Sequence, residues 1–274
     1  MQQRHRAAHL FWRGLVAGAS NALMLSGAYP ALPHALLALA HRRRGQALPA
    51  GLLRSTVHEW RVAVNMTANR WRGFWPLPGA TVQGPRPIIM LHGYAMNRAN
   101  FVPLASRLAA VPLGPIFGFE YWSLGRVSTA ARRLGEFVTQ VREHTGAAQV
   151  DLIGHSMGGV VGRYYACIGG GDGIVKNLVT IGSPHLGTEI SVMGIGRSRK
   201  ELVRGSSLVT RLEVAKPLAH TKLTVIWSRA DGMVPGARQA RVAGVDEIIY
   251  DDLGHIAMLT SQRVAQDVIA ALQK

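Results

Sequence analysis

A serine in a glycine-rich turn carries the strongest chemical signal in this sequence. Ser156 is the central residue of GHSMG, residues 154–158, which matches the pattern G-x-S-x-G. An apolar run, VDLI, precedes the motif, and the helical sequence GVVGRYYA follows it directly. A strand–turn–helix of this kind holds a strained serine exposed at the edge of a sheet. We therefore predict that Ser156 is a nucleophile.

A serine nucleophile requires a base within hydrogen-bond reach and an acid that orients the base. In this type of site the acid and then the histidine follow the serine along the chain. Three histidines follow Ser156, namely His185, His220 and His255. His185 is too early to follow an acid on the next strand, and His220 precedes the strand with the best acid. His255, in a loop before the last helix, is the predicted base.

The predicted orienting acid is Asp231, which closely follows the apolar run Leu223–Trp227. An aspartate before a glycine is also common in turns that have no catalytic role, so this alternative stays open. Four later acids are less well placed, because they lie at the start of a strand or on the loop of His255 itself. These rivals are Asp246, Glu247, Asp251 and Asp252.

Two backbone N–H groups are the candidates for binding a developing oxyanion, those of Tyr94 and Met157. Tyr94 ends the sequence LHGY after the first apolar strand, and Met157 follows the nucleophile. His92 in this loop is predicted to brace it. The sequence has no HExxH, CxxC or acidic cluster, and its only cysteine is Cys167. We therefore predict no metal site.

The elements that must position these residues alternate between short apolar runs and helical stretches from residue 81 onward. This pattern predicts an α/β fold with a mostly parallel, doubly wound sheet. Predicted strands cover Pro87–Leu91, Gly114–Phe119, Val150–Ile153, Leu178–Ile181, Leu223–Trp227 and Glu247–Tyr250. Predicted helices cover Phe101–Ala109, Ser128–Thr145, Met157–Ile168 and Ile256–Gln273.

Residues 188–216 contain helical patches and no predicted strand. They are a candidate lid or pocket wall, and a cap packed on the sheet is the alternative. The candidate lining residues are Ile190, Val192, Met193, Ile195, Leu202, Val203, Leu208 and Leu212.

Five segments, LHGY, GHSMGG, GSPHLGT, SRADGMVP and LGHIAML, occur in this order along residues 81–274. Together they resemble the bacterial lipase and esterase branch of the α/β-hydrolases. The resemblance implies hydrolysis of an ester or lipid substrate without a cofactor. It also implies a triad of Ser156, His255 and Asp231 with Tyr94 and Met157 as oxyanion donors. An acyltransferase or thioesterase with the same triad, and a non-catalytic membrane-associated binding protein of this fold, are the alternatives.

Positive charge is concentrated in the first 80 residues. The chain has a formal net charge of +16, and residues 1–80 carry ten arginines and a single acid, Glu59. Such a balance suits nucleic acid or an anionic membrane surface. No segment outside this apolar region concentrates base-reading or stacking residues, so we expect no nucleic-acid partner and favour a membrane surface. The oligomeric state is left open.

Residues 14–41 contain no formally charged residue. Pro30 and Pro33 are expected to break this stretch into Gly14–Tyr29 and a shorter helix that ends near Ala40. A membrane anchor, a signal peptide cleaved around residues 26–28 (SGA), and a helix packed on the catalytic domain are the three interpretations. We expect association with the bacterial inner membrane, with secretion after signal cleavage as the alternative.

The pattern of residues 49–76 predicts an amphipathic basic helix and the segment that follows it. Its apolar face is predicted from Leu52, Leu53, Val57, Trp60, Val64 and Trp71, with Arg54, Arg61 and Arg70 between them. The cluster WRGFW, residues 71–75, is typical of a membrane interface but could equally pack on the next domain. We therefore divide the chain into an anchor or signal-like segment (1–45), a basic linker helix (46–80) and a hydrolase-like domain (81–274).

Overall fold

The computed structural model describes residues 28–43 and 51–274, together with positions 18, 22, 45, 47 and 48. Its centre is a six-stranded sheet in the order β2-β1-β3-β4-β5-β6, with every neighbouring pair parallel. The strands are β1 (Ile88–Leu91), β2 (Ile116–Phe119), β3 (Val150–His155), β4 (Val175–Ile181), β5 (Lys222–Ser228) and β6 (Asp246–Tyr250). The predicted α/β class and all six predicted strands are confirmed, with ends that differ by a few residues.

Helices cover both faces of the sheet. They are α1 (Ala28–Arg43), α2 (Leu52–Ala68), α3 (Val102–Leu108), α4 (Val127–Thr145), α5 (Met157–Ile168), α6 (Ser198–Glu201), α7 (Ser207–Glu213), α8 (Ala237–Ala240) and α9 (Gln262–Leu272). Alternate residues of β1 enter two separate hydrophobic layers. Ile88 and Met90 pack with α3 and α9, whereas Ile89 and Leu91 pack with α4 and α5. The strands are apolar throughout because both faces of the sheet are buried.

The strand order reverses between β1 and β3, since the chain runs outward to β2 and then returns past β1. Ligands of open α/β sheets bind at the carboxyl ends of strands at such a switch point. The loop after β1 contains His92 and Gly93, and the turn after β3 contains Ser156. The topology therefore places the predicted nucleophile and the predicted oxyanion loop side by side.

The C-terminal helix is shorter than predicted. Instead of one helix over Ile256–Gln273, a 3-10 turn covers Ala257–Thr260 and α9 begins at Gln262. Ser261 separates them, because its extended backbone ends the turn and its hydroxyl accepts a hydrogen bond from Val264 N at 3.4 Å. A serine at this position is a typical N-cap.

The predicted break at Pro33 is wrong, since α1 continues through this proline. Pro30 lies in the first turn of α1, where a proline removes no hydrogen bond of the helix, and residues 23–27 before it lie outside the described part of the chain. The physical reason is tertiary contact. Pro33 is buried, a Cβ on Gly232 would lie 2.9 Å from Pro33 Cβ, and His34 Nε2 donates to Ala230 O at 3.1 Å. Packing against this loop outweighs the one backbone hydrogen bond that an internal proline removes.

Most of the predicted segment 14–29, including Ser26 and Gly27 of the proposed cleavage site, lies outside the described residues. The α1 helix packs on the domain through Pro33 and His34. The choice among anchor, signal peptide and packed helix for residues 14–41 stays a prediction. In the part of the chain that the structure describes, no helix combines the length and the apolar character that crossing a membrane requires.

The α2 helix confirms a helix in residues 49–76. Leu53, Val57 and Trp60 of its predicted apolar face are exposed. The buried face consists of Ser55, Glu59, Val62, Ala63 and Met66. Polar residues enter this face because the carboxylate of Glu59 finds backbone donors in the domain, as described below. A 3-10 turn over Arg70–Phe74 follows the helix.

Residues 188–216 form a 3-10 turn (Glu189–Met193) and the short helices α6 and α7. The predicted lining residues fall into two groups. Leu202, Leu208 and Leu212 are buried in the hydrophobic layer, and Ile190 and Val203 are half-buried. Val192, Met193 and Ile195 are exposed. The second half of this segment is thus a packed cap, and its function as a lid stays a prediction.

Candidate active site

Ser156 lies in a sharp turn between β3 and α5, with φ 54° and ψ −126°. Positive φ is strained for a residue with a side chain, and such strain is common at functional sites. Close approach explains the flanking glycines. A Cβ on Gly158 would lie 2.1 Å from Leu91 O, and one on Gly154 would lie 2.4 Å from Gly159 Cα. The turn holds Ser156 half-buried at the carboxyl edge of the sheet.

Asp231 and His255 form a buried pair at the same edge. His255 Nδ1 lies 2.8 Å from Asp231 Oδ2, and the two residues are 3% and 1% exposed, respectively. The other carboxylate oxygen, Oδ1, accepts hydrogen bonds from Met233 N at 2.8 Å and Val234 N at 2.9 Å. These two donors fix the carboxylate so that Oδ2 is directed at the histidine ring.

The carboxylate form of Asp231 and the imidazolium form of His255 stabilise each other. Burial disfavours the imidazolium form of His255, but the carboxylate of Asp231 outweighs burial and leaves the pKa of His255 raised. Burial also disfavours the Asp231 carboxylate, yet His255 and the two backbone donors hold the pKa of Asp231 below its ordinary value. Asp231 is therefore ionised and His255 is a strengthened base.

The loop after β1 lies against the turn of Ser156. A Cβ on Gly93 would be 3.1 Å from Ser156 Cβ. The next residue, Tyr94, exchanges two hydrogen bonds with Ile195, because its hydroxyl donates to the carbonyl and accepts from the N–H, both at 2.7 Å. Met157 is buried at the start of α5. The oxyanion function of the Tyr94 and Met157 N–H groups stays a prediction.

His92 is held at the base of this loop. Its Nδ1 donates to Gly93 O at 2.9 Å, and its ring stacks on Tyr121 at 4.4 Å between centroids. The Tyr121 hydroxyl also donates to His92 O at 2.6 Å. These contacts are those of a residue that braces the loop.

The rival acids and histidines lie elsewhere. Each rival acid faces a cation: Asp246 faces Lys222, Glu247 faces Arg241, Asp251 faces Arg229, and Asp252 faces Arg263. His185 is buried with its Nε2 at 2.9 Å from Thr180 Oγ1, and His220 lies in an exposed loop.

Sequence reasoning missed two residues that contact the loop of His255. The ring of His155 lies 4.7 Å from that of His255, and its Nε2 donates to His255 O at 3.1 Å. Burial lowers the pKa of His155 to about 3, so it is a neutral donor. Glu59 accepts from the N–H groups of Ile256 and Ala257. The one available signal for Glu59 was its isolation as the only acid in the first 80 residues.

Metal binding has no candidate in the described part of the chain. There, no three or more His, Cys, Asp or Glu side chains are grouped so that they could hold a metal ion.

Comparison with known proteins gives a consistent result. A family model described as the alpha/beta hydrolase fold matches residues 86–196. A triacylglycerol lipase of Pseudarthrobacter phenanthrenivorans is 36% identical over 115 residues, which cover 38% of this chain and 35% of the relative. One of Burkholderia plantarii is 36% identical over 115 residues, or 31% of the relative. The chain thus spans about a third of the length of these curated relatives.

Solved structures share the fold at low sequence identity. Bacillus licheniformis lipase BlEst2 in its mature form has a TM-score of 0.65 at 14% identity, covering 72% of this chain and 98% of that chain. Aspergillus fumigatus lipase B has a TM-score of 0.61 at 13% identity, covering 72% of this chain and 54% of that one. These findings confirm the α/β-hydrolase fold and the resemblance to bacterial lipases and esterases.

Proposed function

We propose that this chain, an α/β-hydrolase by fold that is similar to bacterial lipases and esterases, hydrolyses carboxylic esters of lipids or other acyl compounds. The observation that carries the proposal is the buried Asp231–His255 pair, 2.8 Å apart, at the sheet edge where Ser156 occupies its strained turn. A strained serine at the same sheet edge as an oriented, charge-supported histidine is suited to nucleophilic catalysis.

In the first step the Oγ of Ser156 attacks the ester carbonyl and passes its proton to Nε2 of His255. Asp231 accepts a hydrogen bond from Nδ1 and stabilises the imidazolium that forms. The N–H groups of Tyr94 and Met157 are the proposed donors to the negative oxygen of the tetrahedral intermediate. His255 then returns the proton to the leaving alkoxide, which departs as an alcohol and leaves an acyl-enzyme.

In the second step water replaces the alcohol. His255 takes a proton from water as its oxygen attacks the acyl carbon, and a second tetrahedral intermediate forms. Collapse of this intermediate breaks the bond to Ser156 Oγ, which recovers the proton from His255. The carboxylic acid is released, and the enzyme returns to its starting state.

The test is hydrolysis of p-nitrophenyl esters of short and long acyl chains by the wild type and by Ser156→Ala. We expect kcat/KM to fall by at least about 1,000-fold in the variant, because the other groups cannot replace the nucleophile. A matched control is Ser106→Ala, since the Ser106 hydroxyl bonds only to Val102 O within its own helix. Activity that survives Ser156→Ala, or no activity on any chain length, would refute the proposal.

We also propose that the chain works at an anionic membrane surface. The supporting observation is a band of exposed apolar side chains that the N-terminal elements present to solvent. It comprises Leu32, Leu36 and Leu39 on α1, Leu53, Val57 and Trp60 on α2, and Trp71, Phe74 and Trp75 after α2. Exposed Arg42, Arg43, Arg54, Arg61 and Arg72 accompany them. Apolar and aromatic groups with arginines suit the headgroup region of a bilayer.

Vesicle cosedimentation tests this surface. We expect the full chain to bind phosphatidylcholine vesicles that contain phosphatidylglycerol, and a triple variant with Trp71, Phe74 and Trp75 changed to alanine to bind weakly. A control variant carries Val214→Ala and Ile249→Ala, two exposed apolar residues outside the band. Equal binding by the triple variant and the wild type would exclude this surface. The compartment that we propose is the bacterial inner membrane, which fractionation of cells tests.

A further inference from the structure

Glu59 is a buried carboxylate that reaches from the N-terminal region into the active-site wall. The residue is 1% exposed although it lies on a helix, α2, that is otherwise basic. Its Oε1 accepts a hydrogen bond from Ile256 N at 2.8 Å, and its Oε2 accepts one from Ala257 N at 2.9 Å. Both donors come directly after His255 in the chain.

The loop of His255 is built to receive this carboxylate. A Cβ on Gly254 would lie 2.4 Å from Glu59 Oε2, so only a residue without a side chain fits there. Glu59 thus touches the loop immediately before and immediately after His255. On the other side, His155 Nε2 donates to the carbonyl of His255, and Asp231 holds its ring. His255 is therefore fixed by three separate elements, of which α2 is one.

We propose that Glu59 is a positioning residue for the reaction. It fixes the backbone that carries the base, and its negative charge favours the imidazolium form of His255. This inference rests on the proposed function, because it assigns a task within the same site. Glu59 acts through the loop and through its electric field, so it is not itself a catalytic residue.

The charge of Glu59 depends on pH, because burial favours its protonated form. Burial raises the pKa of Glu59 to about 7, against the opposing effects of the backbone donors and of His255. The ionisable groups that face it are His255 and, further away, Asp231. Glu59 in turn contributes to the raised pKa of His255. His34 of α1 bonds to the residue before Asp231, while His58, beside Glu59 on α2, is exposed.

The experiment compares the pH dependence of kcat/KM for a short soluble ester between the full-length wild type and Glu59→Gln. The glutamine removes the charge and turns one acceptor into a donor that faces an N–H group. We expect kcat to fall by about 10- to 100-fold with little change in KM, since a misplaced base slows chemistry rather than binding. The acid limb of the profile should move to lower pH, because His255 loses the charge that Glu59 carries near and above pH 7.

Two further variants separate positioning from a loss of stability. Glu59→Asp keeps the charge on a shorter side chain, so we expect a lower kcat with the acid limb at the wild-type pH. Asp151→Asn changes another buried carboxylate, which contacts Arg86 and Asn177 at the opposite end of β3 from Ser156. We expect Asp151→Asn to lower the unfolding temperature without moving the acid limb.

A second readout does not depend on activity. Titration of the His255 ring by NMR should give a lower pKa in Glu59→Gln than in the wild type. A Glu59→Gln variant with the wild-type acid limb and wild-type His255 titration would overturn the inference, as would wild-type kcat in both Glu59 variants. Absence of any hydrolysis by the wild type would instead refute the proposed function, and the NMR titration would still decide whether Glu59 acts on His255.

Discussion

Three buried ionisable side chains meet at the active site, and their protonation affects stability in opposite directions. The pKa of Asp231 is lowered and that of His255 is raised, so each favours the charged pair. For Asp231 this stabilisation is present above its ordinary pKa of 3.8 and is lost as the pH falls. For His255 it is present below the ordinary pKa of 6.5 and is lost as the pH rises through its raised value.

Glu59 behaves in the opposite way from Asp231. Its pKa is raised from 4.5 to about 7, so the folded protein binds this proton more tightly than the unfolded chain does. Protonated Glu59 is therefore the stabilising form, and its contribution is lost as the pH rises from about 4.5 to 7. A shift of this size corresponds to about 3 kcal/mol.

The residue-scale prediction concerns thermal unfolding of Glu59→Gln. Because glutamine does not ionise, the variant should gain stability relative to the wild type as the pH is raised from 5 to 8. The measurement is the difference in Tm between the two proteins at several pH values. The exposed Glu143→Gln serves as the control and should give a constant difference. A Tm difference for Glu59→Gln that does not change with pH would contradict the prediction.

The sequence predicts a site residue more readily when its interaction partners lie nearby in the chain. A motif of five residues predicts Ser156, and the order of strands and loops predicts Asp231 and His255. In the structure Asp231 and His255 are hydrogen-bonded to each other, and their catalytic functions are proposals. Glu59 bonds to residues 197 and 198 positions away, and no local pattern indicates such a pairing. A buried acid on a basic helix becomes visible only when the packing of that helix is known.

At the scale of elements, the turn after α2 supports the predicted oxyanion loop. Arg70 donates from both terminal nitrogens to Ala95 O at 3.1 Å, and Asn97 Nδ2 donates back to Arg70 O at 3.0 Å. Ala95 has φ 55°, an uncommon value for a residue with a side chain. The N-terminal region thus holds both loops of the site, one through Glu59 and one through Arg70.

We predict that Arg70→Gln lowers kcat by about tenfold with little change in KM for a short ester. The physical reason is that the strained loop relaxes and the N–H group of Tyr94 moves away from the developing oxyanion. Arg72→Gln is the matched control, because Arg72 lies two residues further on and is exposed. The measurement is kcat and KM of both variants and the wild type by steady-state kinetics. Equal kcat values for the two variants would show that Arg70 does not support the loop.

The sequence predicted the strands better than the helix faces. A buried parallel strand needs only a short apolar run, and all six runs became strands. The inward face of α2 includes a serine and a glutamate, so hydrophobic periodicity alone does not identify it. The helix break predicted at Pro33 is wrong for a related reason, since Pro33 contacts Gly232, a residue far away in the chain. In both cases a tertiary contact overrode a local rule.

At the scale of the whole molecule, α2 is part of the hydrolase core and also carries three of the nine side chains of the exposed band. Val62, Ala63 and Met66 enter the same hydrophobic layer as β1 and α9. The division of the chain at residue 80 stays a prediction, but the packing of α2 is continuous with the following residues. One face of this helix therefore contacts the loop of His255, while the opposite face presents Leu53, Val57 and Trp60 to solvent.

The charge of the molecule leads to the last prediction, which concerns salt. Arg54 and Arg61 are exposed on α2 beside the apolar band, and the chain as a whole carries +16. Attraction between exposed charges and anionic headgroups is screened over about 10 Å at 0.1 M salt. Binding of the wild type to vesicles with phosphatidylglycerol should therefore weaken as salt is added.

Two double variants test whether the arginines of α2 cause this attraction. The double variant Arg54→Gln, Arg61→Gln should lose about 1 kcal/mol of binding free energy per arginine at low salt, and its binding should depend less on salt. Arg132→Gln with Arg133→Gln removes the same charge from the exposed side of α4 and should keep wild-type binding. If both double variants lose affinity equally, net charge alone drives the attraction and α2 has no special part in it.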